Sequence, residues 1–496
     1  MKMTGIAFDN TYARDLVGFY VPCQPEPAPD PTLVYFNHEL ADELALGLDD
    51  LEPPALAELF SGNRLPEGAT PIAQAYAGHQ FGQFSPQLGD GRALLIGEVI
   101  DRLNRRRDIA FKGSGKTPFS RRGDGKAAIG PMLREVLIGE AMHALGIPTT
   151  RALAVVATGE RVYRDRSLPG ATLTRIADSH LRVGTFQFFA THGSIEQLTT
   201  LAEYTIARHD PELVGAPDRY LNFLQRVAER QAALVAQWMH VGFIHGVMNT
   251  DNMSLAGETI DYGPCAFMDA YDPGTVFSSI DDMGRYAYDQ QARIARWNLA
   301  RFAETLLPLL ADDEQQAIEL ATGVIDAFPA RYQHHWLEGA RAKLGLRGQI
   351  DDGERIDTAL AQDWLTLLQA KKVDFTLAWR RLADAAAGDE GPLRALFTEH
   401  QTLDDWLARW QARCAAEADS PGPRAEHMRR VNPWLIPRNH RVEEALDAAT
   451  QAGDLAPFEQ LLEALRLPFE ERPAFARYAE PAPADFTQAF RTFCGT

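Results

Sequence analysis

The segment from Arg219 to Asp269 restricts the fold more than any other. RYLNFLQRVAERQAALVAQWMH, residues 219–240, reads as one long amphipathic helix. It runs through Val241, Gly242 and Phe243 straight into HGVMNTDN at 245–252, and IDYGPCAFMD follows at 260–269. A long helix that delivers two polar, glycine-marked loops in quick succession must sit beside a body that those loops serve.

That body is legible upstream. QFSPQLGDGRALLIGEVI reads as strand, tight turn and strand, because GDG favours a hairpin with positive φ. RDIAFKGSG is another short strand. PMLREVLIGEAMHALGIP is an amphipathic helix with Leu133, Val136, Leu137 and Ala141 on one face, closing at Gly146 and Pro148. RALAVVATGERVYRD gives a further hairpin. The order strand–strand–strand–helix–strand–strand is that of a kinase small lobe. Residues 1–75 are Pro-rich, with short helices expected at 38–47 and 54–60 in an extension wrapping the main body. The expected organisation is therefore a 1–75 extension, a 76–178 small lobe, a 179–300 large lobe and a helical 301–496 region. The fold class is α+β, a kinase-like two-lobed body with an N-terminal extension and a helical C-terminal region. IEQLTTLAEYTIARH, IARWNLARFAETLLPLL and DDWLARWQARCAAEA supply helical patterns, and Pro-rich breaks near 421–437 and 467–483 mark turns.

Composition narrows the partners. A net charge of −19 over 496 residues argues against a general nucleic-acid or anionic-membrane binder. Cys23, Cys265, Cys414 and Cys494 lack metal-ligand spacing, which points to a reducing compartment without a disulfide framework. MKMTGIAFDNTYARDL has no apolar core of a signal peptide, and no apolar run is long enough to span a bilayer. The expectation is a soluble, cytoplasmic monomer.

HGVMNTDN matches the phosphotransferase loop H-G-D-x-x-x-x-N at His245, Gly246 and Asn252, with Val247 where the base should stand. Valine accepts no proton. Asp251 and Asn252 are adjacent, so one can face the metal and the other the substrate. Asp261, followed by Tyr-Gly, fits the D-F-G metal ligand. Such hard oxygen donors suit Mg²⁺ or Mn²⁺ held jointly with nucleotide phosphates. Each fragment alone also fits an ordinary turn; the pairing after a long helix favours the site.

Lys112 ends the strand DIAFK, like the lysine of V-A-I-K, and needs an acidic partner on the next helix. Glu135 is preferred over Glu140. GSGKT at 113–117 is not a P-loop, since Ala110 stands where the first glycine is required. Glycines mix with cations at Gly89, Gly91 and Arg92, at Arg121, Arg122, Asp124, Gly125 and Lys126, and near Arg175 and Arg182. Glycine lets backbone N–H groups approach phosphate, and arginine adds bidentate bonds. His79 is expected to pack structurally. Cys265 follows D-Y-G and Cys494 is third from the C-terminus, so a redox pair gating the site is one expectation, with two unrelated thiols the other.

YAGHQFGQFSPQLGDGRA, DIAFKGSGKTPFSRRGDGKAAIGPMLRE, HGVMNTDNMS and DYGPCAFMD together resemble the selenoprotein O family of pseudokinases, over essentially the whole chain. Cys494 stands where some members carry selenocysteine. The resemblance implies a kinase-like fold and transfer of AMP from ATP to Ser, Thr or Tyr hydroxyls, with pyrophosphate released and ATP bound in a flipped orientation. It implies Lys112, Arg175 and Arg182 at the γ-phosphate end and Glu135 pairing Lys112. It places Gly89, Gly91, Arg92, Asp124 and Gly125 on the nucleotide, Asn252 and Asp261 on the metal, and Asp251 as base. The implied partners are hydroxyl-bearing proteins, redox-related ones among the candidates. Uridylyl transfer from UTP, ordinary γ-phosphoryl transfer and a non-enzymatic nucleotide-sensing scaffold are the alternatives.

Overall fold

ALLIGEVI and RALAVVAT are near-continuous apolar runs, the pattern of strands buried on both faces. The computed structural model, which describes residues 6–347, 352–417 and 420–493, places both in one sheet. In chain order the strands are β1 (Tyr20–Pro22), β2 (Thr32–Phe36), β3 (Ile72–Gln74), β4 (Gly78–Gln80), β5 (Gln83–Ser85), β6 (Ala93–Ile100), β7 (Arg106–Lys112), β8 (Arg151–Tyr163), β9 (Ser167–Ala177), β10 (Phe243–Ile244) and β11 (Ala266–Phe267). The main sheet is antiparallel with order β1-β3-β6-β7-β9-β8-β2. β4–β5 and β10–β11 are separate two-stranded ribbons.

Three expectations change. The N-terminal segment does more than wrap, because β1, β2 and β3 are strands of the main sheet. GDG does not close a hairpin: β5 pairs back on β4, with Gly78 opposite Ser85, while β6 pairs with β3 and β7. The reason is a competing set of bonds. The Leu88 and Gly89 N–H groups donate to the Tyr76 carbonyl and that of Asp90 to Gln74, so the segment runs alongside residues 74–76. RALAVVATGERVYRD is one strand, β8, with a register shift around Gly159 (φ +77°), and its turn to β9 comes only at 164–166.

The helix Ile129–Ala144 lies on β8 and β9 and buries Leu133, Val136, Leu137 and Ala141. Each such leucine contributes roughly 1.5–3 kcal/mol of transfer free energy. Its other side is covered too, by the C-terminal helices Asn439–Asp447 and Ala456–Leu465. The helix Arg219–Val241 ends at Gly242, whose φ of +71° lets its N–H cap the Trp238 carbonyl. β10 then pairs with β11, Phe243 opposite Phe267, so residues 245–265 leave and re-enter the body at one point. The architecture is α+β, a main antiparallel sheet followed by a helical C-terminal region whose own core holds Trp364, Trp379, Trp406 and Trp410. Among the described residues no helix is long and apolar enough to cross a membrane.

Candidate active site

β7 and β9 are neighbours in the middle of the sheet, so Lys112 at the end of β7 and Arg175 near the end of β9 reach the same face of the sheet. The loop after β10 brings Asp261 to them. Lys112 Nζ ion-pairs with Glu135 and donates to Asp261 Oδ1 at 2.7 Å; Arg175 Nη1 donates to the same oxygen at 2.7 Å. Arg182 lies 3.8 Å from Asp261 Oδ2 and donates to the Asp251 carbonyl at 3.0 Å, with its guanidinium 4.4 Å above the Tyr76 ring. Glu140, the other candidate partner of Lys112, pairs instead with Arg151 and Arg466.

Asp261 is held under strain. Its φ is +65°, a region non-glycine residues seldom occupy and one that concentrates at functional sites. Burial opposes its charge, but Lys112, Arg175 and Arg182 outweigh burial and hold the carboxyl well below the usual carboxylate range. Arg175 is aimed by a buried chain behind it. Its Nε donates to His180 Nε2, and His180 Nδ1 lies 2.9 Å from Asp108 Oδ2. Burial, with help from Arg175 and Arg182, pushes His180 down to about 4, so the imidazole is neutral with its proton on Nδ1.

The ribbon β4–β5 sits on the HGVMNTDN loop. The His79 N–H donates to Thr250 Oγ1, the Phe81 N–H to Asn249 Oδ1, and Gln80 Nε2 to Asp251 Oδ2 at 3.3 Å. Asp251 Oδ1 is buried and has no hydrogen-bond partner. Burial pushes this carboxyl up to about 6. A Cβ on Gly78 would stand 2.5 Å from that oxygen, so glycine is required there. His79 itself bonds Gln187 and packs on Phe84 and Trp297. His245, buried and neutral, donates from Nε2 to the Ile260 carbonyl and ties the two loops together.

Lys112, Glu135, Arg175, Arg182, Asp251, Asn252, Asp261, Gly91 and Arg92 all line one cavity of about 600 Å³. Gly89 (φ +72°), Asp124 and Gly125 are not among its lining residues. Gly89 packs under Phe119. Asp124 pairs with Arg164, and Gly125 (φ +70°) accepts from the Gly115 N–H because only glycine fits that approach. Cys265 is buried with its thiol pushed up to about 11 by burial, while Cys494 lies outside the described residues. Sequence reasoning missed Tyr76, Asp90, Arg134 and Asn249, and a wall from the C-terminal region that includes Glu443, Asp447 and Thr450. Asp90 lies within LGDGR and Arg134 within PMLREVLIGE, where neither carries a signal of its own, and the distant wall carries no local signal either.

Among the described residues no group of three or more His, Cys, Asp or Glu is placed to hold a metal. The donors present nonetheless suit a hard cation shared with phosphate oxygens. Asn252 spends its Nδ2 on the Val247 carbonyl, and its Oδ1 takes no hydrogen bond among the described residues, while the Asp261 carboxylate faces the same cavity.

The sequence model of the family described as Protein adenylyltransferase SelO matches residues 2–466. A Chromobacterium violaceum protein described as Protein nucleotidyltransferase YdiU is 63% identical over 478 residues, 96% of this chain and 99% of that one. Proteins of the same description from Cereibacter sphaeroides strain ATCC 17029 and Rhizobium meliloti strain 1021 are 61% and 55% identical, covering 99% and 100% of both chains. With the family match and these full-length identities, the chain belongs to the SelO family of protein adenylyltransferases.

Proposed function

We propose that this protein transfers AMP from ATP to Ser, Thr or Tyr hydroxyls of other proteins and releases pyrophosphate. The observation that carries the reading is the pairing of Val247, a side chain that accepts no proton, with Asp251, whose buried Oδ1 has no partner in the same cavity. The catalytic loop keeps a base and has moved it. Lys112, Arg175 and Arg182 sit at the buried end, where they suit the β- and γ-phosphates. The α-phosphorus then faces outward. The substrate hydroxyl oxygen attacks it, the bond from the α-phosphorus to the bridging oxygen breaks, and its electron pair leaves with pyrophosphate. Asp251 takes the hydroxyl proton. A carboxyl raised toward neutrality is a better proton acceptor at physiological pH than an ordinary aspartate.

Asn252 and Asp261 would hold Mg²⁺ or Mn²⁺, which when bound neutralises phosphate charge. Glu135 keeps Lys112 oriented, and the His180–Asp108 chain keeps Arg175 oriented. Gly89, Asp124 and Gly125 contribute by shaping the loops above the cavity. The reading includes a kinase-like division, with 76–178 as small lobe and 179–300 as large lobe, flanked by the 1–75 and 301–496 segments, and a cytoplasmic monomer.

The test uses purified protein, Mg²⁺ or Mn²⁺, a protein acceptor, and ATP labelled at either the α- or the γ-phosphate. Label on protein from the α position alone is expected. Label from γ alone would sink the reading in favour of a kinase, and nucleotide binding without label would favour a sensor. A stronger signal from α-labelled UTP than from ATP would replace AMP by UMP.

A further inference from the structure

The cavity has two chemically different ends. The buried end carries Lys112, Arg175 and Arg182. The open end is walled by the C-terminal region, where the helix Asn439–Asp447 presents Leu446 and Asp447 and the following turn presents Thr450. Arg134, which pairs with Glu443 of that helix, together with Arg166, Leu168 and Arg491, lines the same cavity.

Several observations mark this wall as a built surface. The turn Ala448–Ala452 is π-helical, a local widening that recurs at functional sites, and Gly453 closes it at φ +66°. Thr450 Oγ1 would be 3.1 Å from a Cβ on Gly130, so the facing helix carries no side chain where the turn approaches. Arg134 is 8% exposed; it donates from Nη1 to Glu443 and from Nη2 to the Cys265 carbonyl, yet its Nε has no hydrogen-bond partner. Asp447 is exposed, and the bond its carboxylate takes is from Gln451 Nε2.

A carboxylate repels phosphate and accepts hydrogen bonds. The donors of a nucleotide are its ribose hydroxyls and, in adenine, the exocyclic amine, and its base offers flat apolar faces that match Leu446 and Leu168. With the triphosphate drawn to the cationic end, the nucleoside is the part that meets this wall. We infer that Asp447 and Thr450 bind the nucleoside end of the donor nucleotide, which makes the C-terminal helical region the part that selects the donor. The inference rests on the nucleotidyl-transfer reading for the placement of the triphosphate.

The experiment measures binding by calorimetry to the full chain with Mg²⁺ present, using ATP and inorganic tripolyphosphate as separate probes. Asp447→Ala and Thr450→Val are compared with wild type, and Glu444→Gln, a carboxylate of the same helix paired with Arg441 and Arg477, is the control. Asp447→Ala is expected to weaken ATP roughly tenfold, the loss of one charged hydrogen bond, with tripolyphosphate unchanged. Thr450→Val should act in the same direction with a smaller factor, and Glu444→Gln should match wild type. Unchanged ATP affinity in Asp447→Ala overturns the inference, and so does an equal change in both probes: equal tightening would report only the removed negative charge, and equal weakening a disturbed phosphate end. If ATP weakens selectively but no α-label reaches protein, the nucleoside wall stands and the transferase reading falls.

Discussion

Lys112 Nζ lies 2.7 Å from Asp261 Oδ1, across 149 positions of sequence. Lys112, the proposed phosphate-binding cation, and Asp261, the proposed metal ligand, neutralise each other, and the same contact pins a strained backbone at Asp261. The two substitutions should therefore separate. Lys112→Met strands Glu135 and part of Asp261 in a buried site and is expected to cost about 3 kcal/mol of stability as well as activity. Asp261→Asn keeps the volume and should lower transfer at least about 10²-fold with a smaller thermal shift. Melting curves read beside α-label incorporation decide this; a Lys112→Met protein as stable as wild type would show that the pair carries no structural weight.

Gly78 comes from the β4–β5 ribbon and Asp251 from the loop between β10 and β11, and the two touch. A methyl group at Gly78 would overlap Asp251 Oδ1 at 2.5 Å and crowd Leu88 at 3.0 Å. Gly78→Ala is expected to move the carboxylate by several tenths of an ångström and lower kcat about 10²-fold, with ATP affinity close to wild type. Single-turnover labelling and equilibrium ATP binding measure the two halves. Loss of binding with normal turnover of the bound fraction would place Asp251 on the nucleotide and away from proton transfer.

What was legible in the sequence was local. The helix Ile195–His209 carries its own capping box at Ser194 and Gln197, and the helix Arg219–Val241 its glycine stop, so both ends could be read directly. Lys112, Asp251, Asn252 and Asp261 were legible because each sits in a short motif. GDG was misread because its hairpin signal competes with bonds to Gln74 and Tyr76, which lie in another segment. Asp447 and Thr450 were invisible because nothing within ten residues of them announces a cavity; the packing of distant helices on Ile129–Ala144 puts them there.

Cys265 is shielded by the same packing. Its thiol is fully buried, contacts the Tyr262 carbonyl and is raised to about 11 by burial, so almost no thiolate forms near neutrality. Native protein treated with iodoacetamide at pH 7.5 should carry label on the partly exposed Cys23 and none on Cys265. Brief alkylation followed by peptide mass spectrometry provides the measurement. Rapid labelling of Cys265 would mean that the segment after Asp-Tyr-Gly opens in solution, which is the motion any redox pairing there needs.

Lys343 gives the clearest pH signature. It is buried in the C-terminal helical core, with Nζ 5.0 Å from the Trp379 ring centre and 5.9 Å from that of Phe375, and no carboxylate within ion-pair distance among the described residues. Burial pushes it down to about 7, and attraction to the two rings offsets part of that penalty. Between pH 7 and 10.5 the unfolded chain thus binds a proton that the folded chain does not, and stability from this group rises with pH. Below pH 7 both states are protonated and the burial penalty is at its fullest. Lys343→Met removes the penalty while keeping the volume, so it should stabilise the protein by on the order of a few kcal/mol at pH 7 or below. The advantage should shrink steadily as pH rises and vanish near pH 10.5. Chemical denaturation of both proteins at pH 6.5, 8 and 9.5 measures the gap. A constant gap would mean that Lys343 stays protonated in the fold, held by the ring faces.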